Sequence, residues 1–201
     1  MTLPPHWVLA TSNRGKVAEI SELFAEAGLS LLVTAQSELG VSAAPETGAT
    51  FVENALQKAR HAARFTGLPA IADDSGLVVA ALGGAPGVRS ARFAGERADD
   101  RENVVKLLAE LADPSLDRSA RFHCVLVALL DPDDAAPLIA TGSWEGQVAR
   151  APKGSHGFGY DPVFFDPKLG RTAAELDAAE KNRVSHRGAA LRALVEVLKN
   201  R

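Results

Sequence analysis

Residues 71–87 read IADDSGLVVAALGGAPG, and this stretch decides the fold. The nearly unbroken apolar run over residues 68–82 predicts a buried strand, yet Asp73 and Asp74 stand side by side within it. An ionised carboxylate is costly to remove from water unless a cation or hydrogen-bond donors replace the lost solvation. We therefore expect the strand to present this pair to a cation. The alternative is a hairpin turn whose aspartates face solvent.

The composition around this stretch is that of an ordinary globular protein. The chain has 201 residues, of which 46% are hydrophobic and 23% charged, so it can bury a sizeable core. Its formal net charge of -3 argues against a surface that coats nucleic acid and favours a small-molecule partner. No apolar run approaches the roughly 18 residues of a membrane span. We expect no membrane association.

The cysteine content and the first residues bear on the compartment. Cys124 is the only cysteine, which excludes an internal disulfide framework and a multi-cysteine zinc site. Residues 1–10 lack the basic segment and long apolar core of a secretion signal. These features predict a cytoplasmic protein.

A polar turn containing a glycine follows the first predicted strand, residues 6–11, and leads into a helix. A turn at a helix N-terminus offers backbone N–H groups to an anion, and Lys16 adds an ammonium group. The turn therefore suits a phosphate, although the Walker motif is absent. The alternative is an ordinary turn in which Ser12 or Asn13 caps the helix.

The carboxylates before the central stretch differ in their local context. Thr50 and Glu53 have the spacing of a capping box at the start of a predicted helix, so Glu53 has a structural role available to it. Glu46 lies in the predicted loop 35–48 and has no such role. We expect Glu46 to join Asp73 and Asp74 around a divalent metal.

Residues 154–162 alternate glycines with aromatic side chains. Glycines allow a planar ligand to approach closely, and Phe158 or Tyr160 could stack on a base, with Asp161 as a hydrogen-bond acceptor. The alternative is a glycine-rich turn whose rings fill the core, and for Tyr160 the pattern favours that alternative.

A basic cluster precedes the last predicted helix. Ser185 is the natural N-cap, but His186 and Arg187 follow it, and positive charge is unfavourable at a helix N-terminus. With Lys181, these residues predict an anionic or electron-rich ligand. The alternative is a solvated basic edge.

Six separated motifs, taken together and in order, resemble one family, the non-canonical purine nucleoside triphosphate pyrophosphatases, also called inosine triphosphate or dITP/XTP pyrophosphatases. The resemblance covers about residues 8–198. The motifs are TSNRGK at 11–16, ETG at 46–48 with FVENA at 51–55, ADDSG at 72–76, GGAPG at 83–87 with SAR at 90–92, GFGYDP at 157–162, and KN at 181–182 with SHR at 185–187.

The resemblance implies an α/β fold with a long mixed central sheet flanked by helices, and two lobes with a nucleotide cleft between them. It implies one domain over residues 1–201, in which residues 1–6 are an N-terminal extension. Family members hydrolyse ITP, dITP and XTP to the nucleoside monophosphate and pyrophosphate with Mg²⁺, and they are commonly homodimers. We therefore expect Mg²⁺ as the cofactor, a purine nucleoside triphosphate as substrate, and a homodimer.

Carried over residue by residue, the resemblance gives Asp74 the role of proton acceptor and metal ligand. Glu46 is then the other metal ligand, with Asp73 and Glu53 as supporting carboxylates. The residues expected to bind the triphosphate are Thr11, Ser12, Asn13, Arg14, Gly15 and Lys16. Those expected to bind the rest of the nucleotide are Ser75, Phe158, Gly159, Tyr160, Asp161, Lys181, His186 and Arg187.

Two other functions compete with this interpretation. A non-catalytic nucleotide sensor would share the pocket but should lack a complete set of metal carboxylates, and this sequence contains such a set. A phosphomonoesterase with an aspartyl nucleophile would require an Asp-x-Asp pattern after a strand, whereas Asp73 and Asp74 are adjacent.

Overall fold

A seven-stranded mixed sheet organises the fold. The computed structural model describes residues 3–200, apart from the side chains of Arg14 and Glu19. The strands are β1 (His6–Leu9), β2 (Leu32–Ala35), β3 (Ala70–Val79), β4 (Ser119–Leu129), β5 (Leu138–Val148), β6 (Phe164–Asp166) and β7 (Arg171–Thr172). Neighbouring strands follow the order β2-β1-β3-β4-β5-β6-β7.

Parallel and antiparallel pairs occupy different parts of this sheet. Strand β1 pairs in parallel with both β2 and β3, whereas β6 pairs antiparallel with β5 and β7. Parallel neighbours require a crossover connection, which explains why a helix follows β1 and another precedes β3. The predicted mixed sheet with flanking helices is confirmed. The α-helices are α1 (Arg14–Glu26), α2 (Phe51–Thr66), α3 (Asp100–Glu110), α4 (Ala178–Val184) and α5 (His186–Lys199).

Local sequence signals fix the ends of these helices. The predicted capping box at the start of α2 is present, with Thr50 and Glu53 satisfying each other's backbone N–H groups. Helix α2 ends at Gly67, whose φ of 67° is a left-handed conformation that favours glycine. Asp99 caps α3 in the same way as Thr50 caps α2.

The second strand begins later than the apolar pattern over residues 29–34 indicates. Leu29 N donates to Phe24 O, and Leu31 N donates to Leu29 O, so residues 29–31 belong to the turn that follows α1. Pairing with β1 starts only at Leu32. The predicted loop 35–48 also contains a short 3₁₀ helix, Gln36–Leu39.

The chain forms two compact units. The described residues of the first unit lie within Met1–Asp74, Cys124–Gly142 and Ala190–Arg201. Successive residues of β1 belong to different apolar clusters: Trp7 packs with Phe24 and Leu194, whereas Val8 packs with the alanines of α2. Because side chains alternate along a strand, both faces of the sheet in this unit are covered.

The second unit comprises Ser75–His123 and Ser143–Ala189 and has its own core. The ring centroids of Phe122 and Trp144 lie 4.5 Å and 4.9 Å, respectively, from that of Phe164. The buried Asp166 carboxylate accepts a hydrogen bond from Trp144 Nε1 at 2.7 Å and further bonds from backbone N–H groups. Along residues 3–200, no helix is both long and apolar enough to cross a membrane.

Candidate active site

Strand β3 carries the buried aspartates of the first unit. Asp73 is 4% exposed, and Lys16 Nζ donates to both of its carboxylate oxygens at 2.8 Å. The sequence predicted that the pair needs a cation, and for Asp73 this cation is a lysine 57 residues away in the chain. Lys16 was expected to bind the triphosphate. Its ammonium would therefore have to contact Asp73 and the triphosphate together, or leave Asp73 for the triphosphate.

The neighbouring Asp74 has a different set of partners. Its Oδ1 accepts a hydrogen bond from Lys58 Nζ at 2.8 Å, and its Oδ2 accepts one from Asn54 Nδ2 at 3.3 Å. The same Lys58 ammonium donates to Glu46 Oε1 at 2.8 Å. The structure therefore brings Glu46 and Asp74 to one cationic group, as expected of two metal ligands, but the cation between them is Lys58.

Burial and charge shift the pKa values of this group. Burial raises the pKa of Asp74 above its usual value, the charge of Glu46 adds to the rise, and Lys58 and Asn54 offset part of it. Burial alone would lower the pKa of Lys58, but its contacts with Asp74 and Glu46 outweigh that effect and raise it. Lys58 is therefore firmly cationic, and Asp74 is a stronger base than an exposed aspartate.

The donor set of the first unit fits a magnesium ion that is completed by substrate. The described residues contain no group of three or more His, Cys, Asp or Glu side chains suited to a metal. Glu46 and Asp74 nevertheless direct one carboxylate oxygen each at a common point. Mg²⁺ is commonly held by one or two carboxylates together with substrate phosphates, so two ligands are sufficient.

Glu53 lies outside this cluster of contacts. Its Oε2 accepts hydrogen bonds from Thr50 N at 2.9 Å and from Thr50 Oγ1 at 3.0 Å, and these bonds lower its pKa. The capping function predicted for Glu53 is confirmed. Its role as a supporting carboxylate stays a prediction.

The expected phosphate turn is capped by its own side chain. Asn13 Oδ1 accepts hydrogen bonds from Gly15 N at 2.8 Å and Lys16 N at 3.3 Å, and Thr11 Oγ1 accepts one from Asn13 N. The capped-turn alternative is therefore present, and two of the amides are engaged by it. Ser12 is exposed, while the side chain of Arg14 lies outside the described residues.

A pocket in the second unit collects every residue expected to bind the base and its surroundings. It also contains residues to which the sequence analysis gave no role in binding. The predicted members are Ser75, Phe158, Gly159, Tyr160, Asp161, Lys181, His186 and Arg187, and the others are Gly76, Ser90, Ala91, Asp100, Asn103 and Phe122.

Phe158 presents its ring at this pocket. The residue is 54% exposed, and Lys181 Nζ and Arg187 Cζ lie 5.1 Å and 5.7 Å from its ring centroid. Asp161, which is 3% exposed, accepts hydrogen bonds from Phe158 N at 2.8 Å and from Lys181 Nζ. One buried carboxylate thus positions both the aromatic residue and its cationic neighbour.

The turn before Phe158 requires glycine. Gly157 has a φ of 77°, and a Cβ atom at this position would lie 2.0 Å from Asp161 Oδ2. On the other side of Phe158, Gly159 N donates to Asp100 Oδ2 at 2.6 Å. These contacts fix the backbone on both sides of the exposed ring.

Tyr160 belongs to the core and to the pocket wall at the same time. It is 4% exposed, and its hydroxyl donates to Ser90 O at 2.8 Å. Burial, followed by the charge of Asp100, raises its pKa. The core position favoured for Tyr160 from the sequence is confirmed.

The basic cluster at the start of α5 is buried. The His186 ring stacks on Phe122 with an interplanar angle of 14° and a centroid distance of 4.7 Å. Arg187 is 7% exposed, and its Nη2 donates to Ser75 Oγ at 3.4 Å. Ser185 Oγ accepts from Gly188 N, as its predicted N-cap position requires. The cluster is not the solvated basic edge that was the alternative.

Two functional candidates escaped the sequence analysis. Lys58 lies on the stripe of α2 that also carries Ala55, Ala59 and Ala62, and a lysine on a buried alanine face was the available signal. Asp100 is the first residue of α3, where an acidic side chain is explained by the helix N-terminus alone. Its bond to Gly159 joins residues 59 apart, and local sequence contains no sign of that contact.

Known proteins resemble this chain both in sequence and in structure. The chain matches the Ham1 family over residues 7–197. It is 58% identical over 194 residues to proteins named dITP/XTP pyrophosphatase from Shigella flexneri and from Pectobacterium atrosepticum, covering 96% of this chain and 98% of each relative. A HAM1 protein from Coxiella burnetii superimposes with a TM-score of 0.92 at 54% identity, covering 98% of this chain and 100% of that one. The Ham1 protein of Staphylococcus aureus gives a TM-score of 0.87 at 39% identity, with 97% and 98% coverage.

Proposed function

The chain belongs to the Ham1 family, and from this membership we propose that it hydrolyses ITP, dITP and XTP to the nucleoside monophosphate and pyrophosphate. Relatives that are 58% identical over nearly their whole length are named dITP/XTP pyrophosphatase. The observation that carries the proposal is the convergence of Glu46 and Asp74 on one point, each 2.8 Å from the same ammonium nitrogen. A metal that bridges to substrate phosphates is commonly held by one or two carboxylates, and this pair would supply them.

The first unit supplies the groups for phosphate chemistry. Asp74 accepts the proton of the attacking water, and burial favours this role because it makes the carboxylate more basic. Lys16 supplies positive charge for the triphosphate. Glu46 and Asp74 would hold Mg²⁺, and the ion would supply Lewis-acid stabilisation of charge on phosphate oxygens.

The second unit supplies the groups for base recognition. Phe158 stacks on the purine, a contact worth about 1–3 kcal/mol per base. Arg187 and backbone N–H groups donate to the 6-oxo group, which hypoxanthine and xanthine carry and adenine lacks. Adenine would place an amino donor against these donors, and an unpaired buried group costs about 1–3 kcal/mol. In the amino-acid sequence, Asp74 of the first set is followed directly by Ser75 of the second set.

The consequence for the cell is the removal of non-canonical purine nucleotides from the pool before polymerases use them. We propose that the enzyme acts as a homodimer in the cytoplasm. The support for the dimer is the family resemblance, and the support for the compartment is the composition, with its single buried cysteine.

The experiment that tests this function identifies the phosphorus product. The purified protein is incubated with ITP and Mg²⁺, and pyrophosphate and orthophosphate are measured separately. We expect pyrophosphate and inosine monophosphate in equal amounts, no turnover after chelation of divalent cations, and recovery on addition of Mg²⁺. Orthophosphate as the primary product would identify a phosphatase, and binding of ITP without turnover would identify a sensor.

A further inference from the structure

Lys58 occupies the position where the two proposed metal ligands come together. Its ammonium nitrogen lies 2.8 Å from Glu46 Oε1 and 2.8 Å from Asp74 Oδ1, and the side chain is 15% exposed. One oxygen of each carboxylate is therefore in contact with this ammonium. A cation that binds between these two oxygens would compete with Lys58 for them.

Lys58 is the positive group that lies between these two carboxylates. Asp74 is 7% exposed, and Lys58 Nζ is 2.8 Å from an oxygen of Asp74 and 2.8 Å from an oxygen of Glu46. Two neighbouring carboxylates repel each other, and a buried one is costly to keep ionised without a paired cation. Removal of the Lys58 ammonium would leave two neighbouring carboxylates without this shared partner, a situation that strongly favours binding of another cation.

Lys16 provides an internal comparison. It is also an ion-paired lysine of the first unit, but the two hydrogen bonds that its Nζ makes to described residues both go to Asp73. Displacement of Lys16 would therefore remove a partner of Asp73, whereas displacement of Lys58 would remove the partner that Glu46 and Asp74 share. The two lysines have the same charge and differ in which oxygens they hold.

We propose that Lys58 is an exchangeable counter-ion, which holds Glu46 and Asp74 in the nucleotide-free protein and transfers its ammonium to a substrate phosphate when a divalent cation takes the two carboxylates. This inference rests on the proposed function. The inference also predicts how metal and nucleotide affect each other. Without a phosphate to receive Lys58, the divalent cation competes with Lys58 for the two carboxylates. With a phosphate present, Lys58 moves to the phosphate and this competition ends. Metal and nucleotide therefore strengthen each other's binding, as linkage requires of a shared group.

The test measures the affinity of Mg²⁺ alone for the nucleotide-free protein by titration calorimetry. We expect Lys58→Met to bind Mg²⁺ about 10-fold more tightly than the wild type, which is within the usual range of such couplings. Lys58→Gln, which keeps a hydrogen-bond donor without the charge, should shift the affinity in the same direction. The matched variant Lys16→Met should stay within about threefold of the wild type because, among the described residues, Lys16 Nζ is paired with Asp73 and not with the converging carboxylates.

A second measurement addresses the transfer to phosphate. The affinity for an ITP analogue with a non-hydrolysable α–β bridge is measured with and without Mg²⁺. The wild type should show a strengthening by Mg²⁺ that is about 10-fold larger than the strengthening shown by Lys58→Met. Circular dichroism of both Lys58 variants establishes that they are folded.

The inference is overturned if both folded Lys58 variants bind Mg²⁺ no more tightly than the wild type, or if Lys16→Met gains as much affinity as Lys58→Met. Either result is compatible with release of pyrophosphate from ITP by the wild type, so the proposed function would stand. Failure of the wild type to hydrolyse ITP would instead remove the proposed function.

Discussion

The two units solve the problem of buried charge in different ways. Asp74 of the first unit is held by the side chains of Lys58 and Asn54, which lie on a single helix, α2. Asp166 of the second unit is held by an indole N–H and by two backbone N–H groups of its own turn. A carboxylate bound by exchangeable side chains can acquire a new ligand, whereas one bound by backbone donors serves the fold.

The same contrast applies to the parts of each unit that we propose to contact a ligand. The first unit contributes charged groups that already have ionic partners, so under the proposed function the substrate would exchange them. The second contributes the exposed Phe158, which lies on a backbone fixed by Asp161 and Asp100. We therefore expect changes in the first unit to affect turnover and changes in the second to affect substrate affinity or stability.

The largest expected effect comes from Asp74→Asn. Loss of the proton acceptor should lower kcat for ITP by about 10²–10⁴-fold, while the dissociation constant of ITP changes little. Steady-state kinetics and equilibrium binding separate these quantities. Asp133→Asn, in an exposed turn, is the matched control and should leave kcat unchanged. A fully active Asp74→Asn enzyme would remove Asp74 from the role of base.

A smaller effect, confined to affinity, should follow from Phe158→Ala. Loss of one stacked base costs about 1–3 kcal/mol, so KM for ITP should rise by roughly 5–150-fold. Because Phe158 is exposed, the melting temperature should barely change. Phe65→Ala removes another exposed phenylalanine, 70% exposed and on α2 of the first unit, and should leave KM as it is. Equal rises in both variants would contradict the assignment of Phe158.

The comparison of the two buried carboxylates predicts that Trp144→Phe acts on stability alone. The substitution removes the indole donor of Asp166 and leaves a buried acceptor with one bond fewer, at a cost of about 1–3 kcal/mol. Chemical denaturation measures this loss. The value of kcat should remain that of the wild type, and a fall in kcat at unchanged stability would erase the distinction between Asp166 and Asp74.

The smallest effect concerns Tyr160 and appears only at high pH. Burial and Asp100 raise the pKa of Tyr160 in the folded state above the ordinary value of about 10. Its contribution to stability is therefore complete below about pH 10 and is lost as the pH rises from there towards the folded pKa. Tyr160→Phe should lower the free energy of unfolding by about 0.5–1.5 kcal/mol at neutral pH, because the hydrogen bond to Ser90 O is lost. The variant should then lack the part of the stability decrease above pH 10 that is due to ionisation of Tyr160.

The chain contains a single tyrosine, so tyrosinate absorbance reports Tyr160 directly. We expect the absorbance to rise together with unfolding, as followed by circular dichroism. A tyrosinate signal that develops near pH 10 in a protein that remains folded would show that the hydroxyl is not protected.

Sequence reasoning succeeded where the determining interaction is local. The capping of α2 by Thr50 and Glu53, and the core position of Tyr160 in its glycine-rich turn, follow from residues close in the chain. The mixed sheet and eight residues of the pocket were predicted from six motifs in family order. These features depend on periodicity, spacing and resemblance, all of which can be read from the sequence.

The pairing of charges could not be predicted in the same way. Lys16 and Asp73 are 57 residues apart, and Lys58 and Asp74 are 16 apart, so only the folded sheet and helix decide which lysine holds which aspartate. Lys16 was assigned to phosphate, and Lys58 was not singled out. Local sequence does not distinguish between the possible pairings of these lysines and carboxylates, so the tertiary contacts determine which ion pairs form.

The central claim is that the second unit reads the base while the first unit handles the phosphates, and the measurement that tests it most directly is the kcat/KM of the wild type for ITP and ATP. These substrates share the triphosphate and the sugar and differ at the 6-position of the purine. A mismatch worth about 1–3 kcal/mol predicts a preference for ITP of roughly 5–150-fold. Equal kcat/KM values for ITP and ATP would contradict the account.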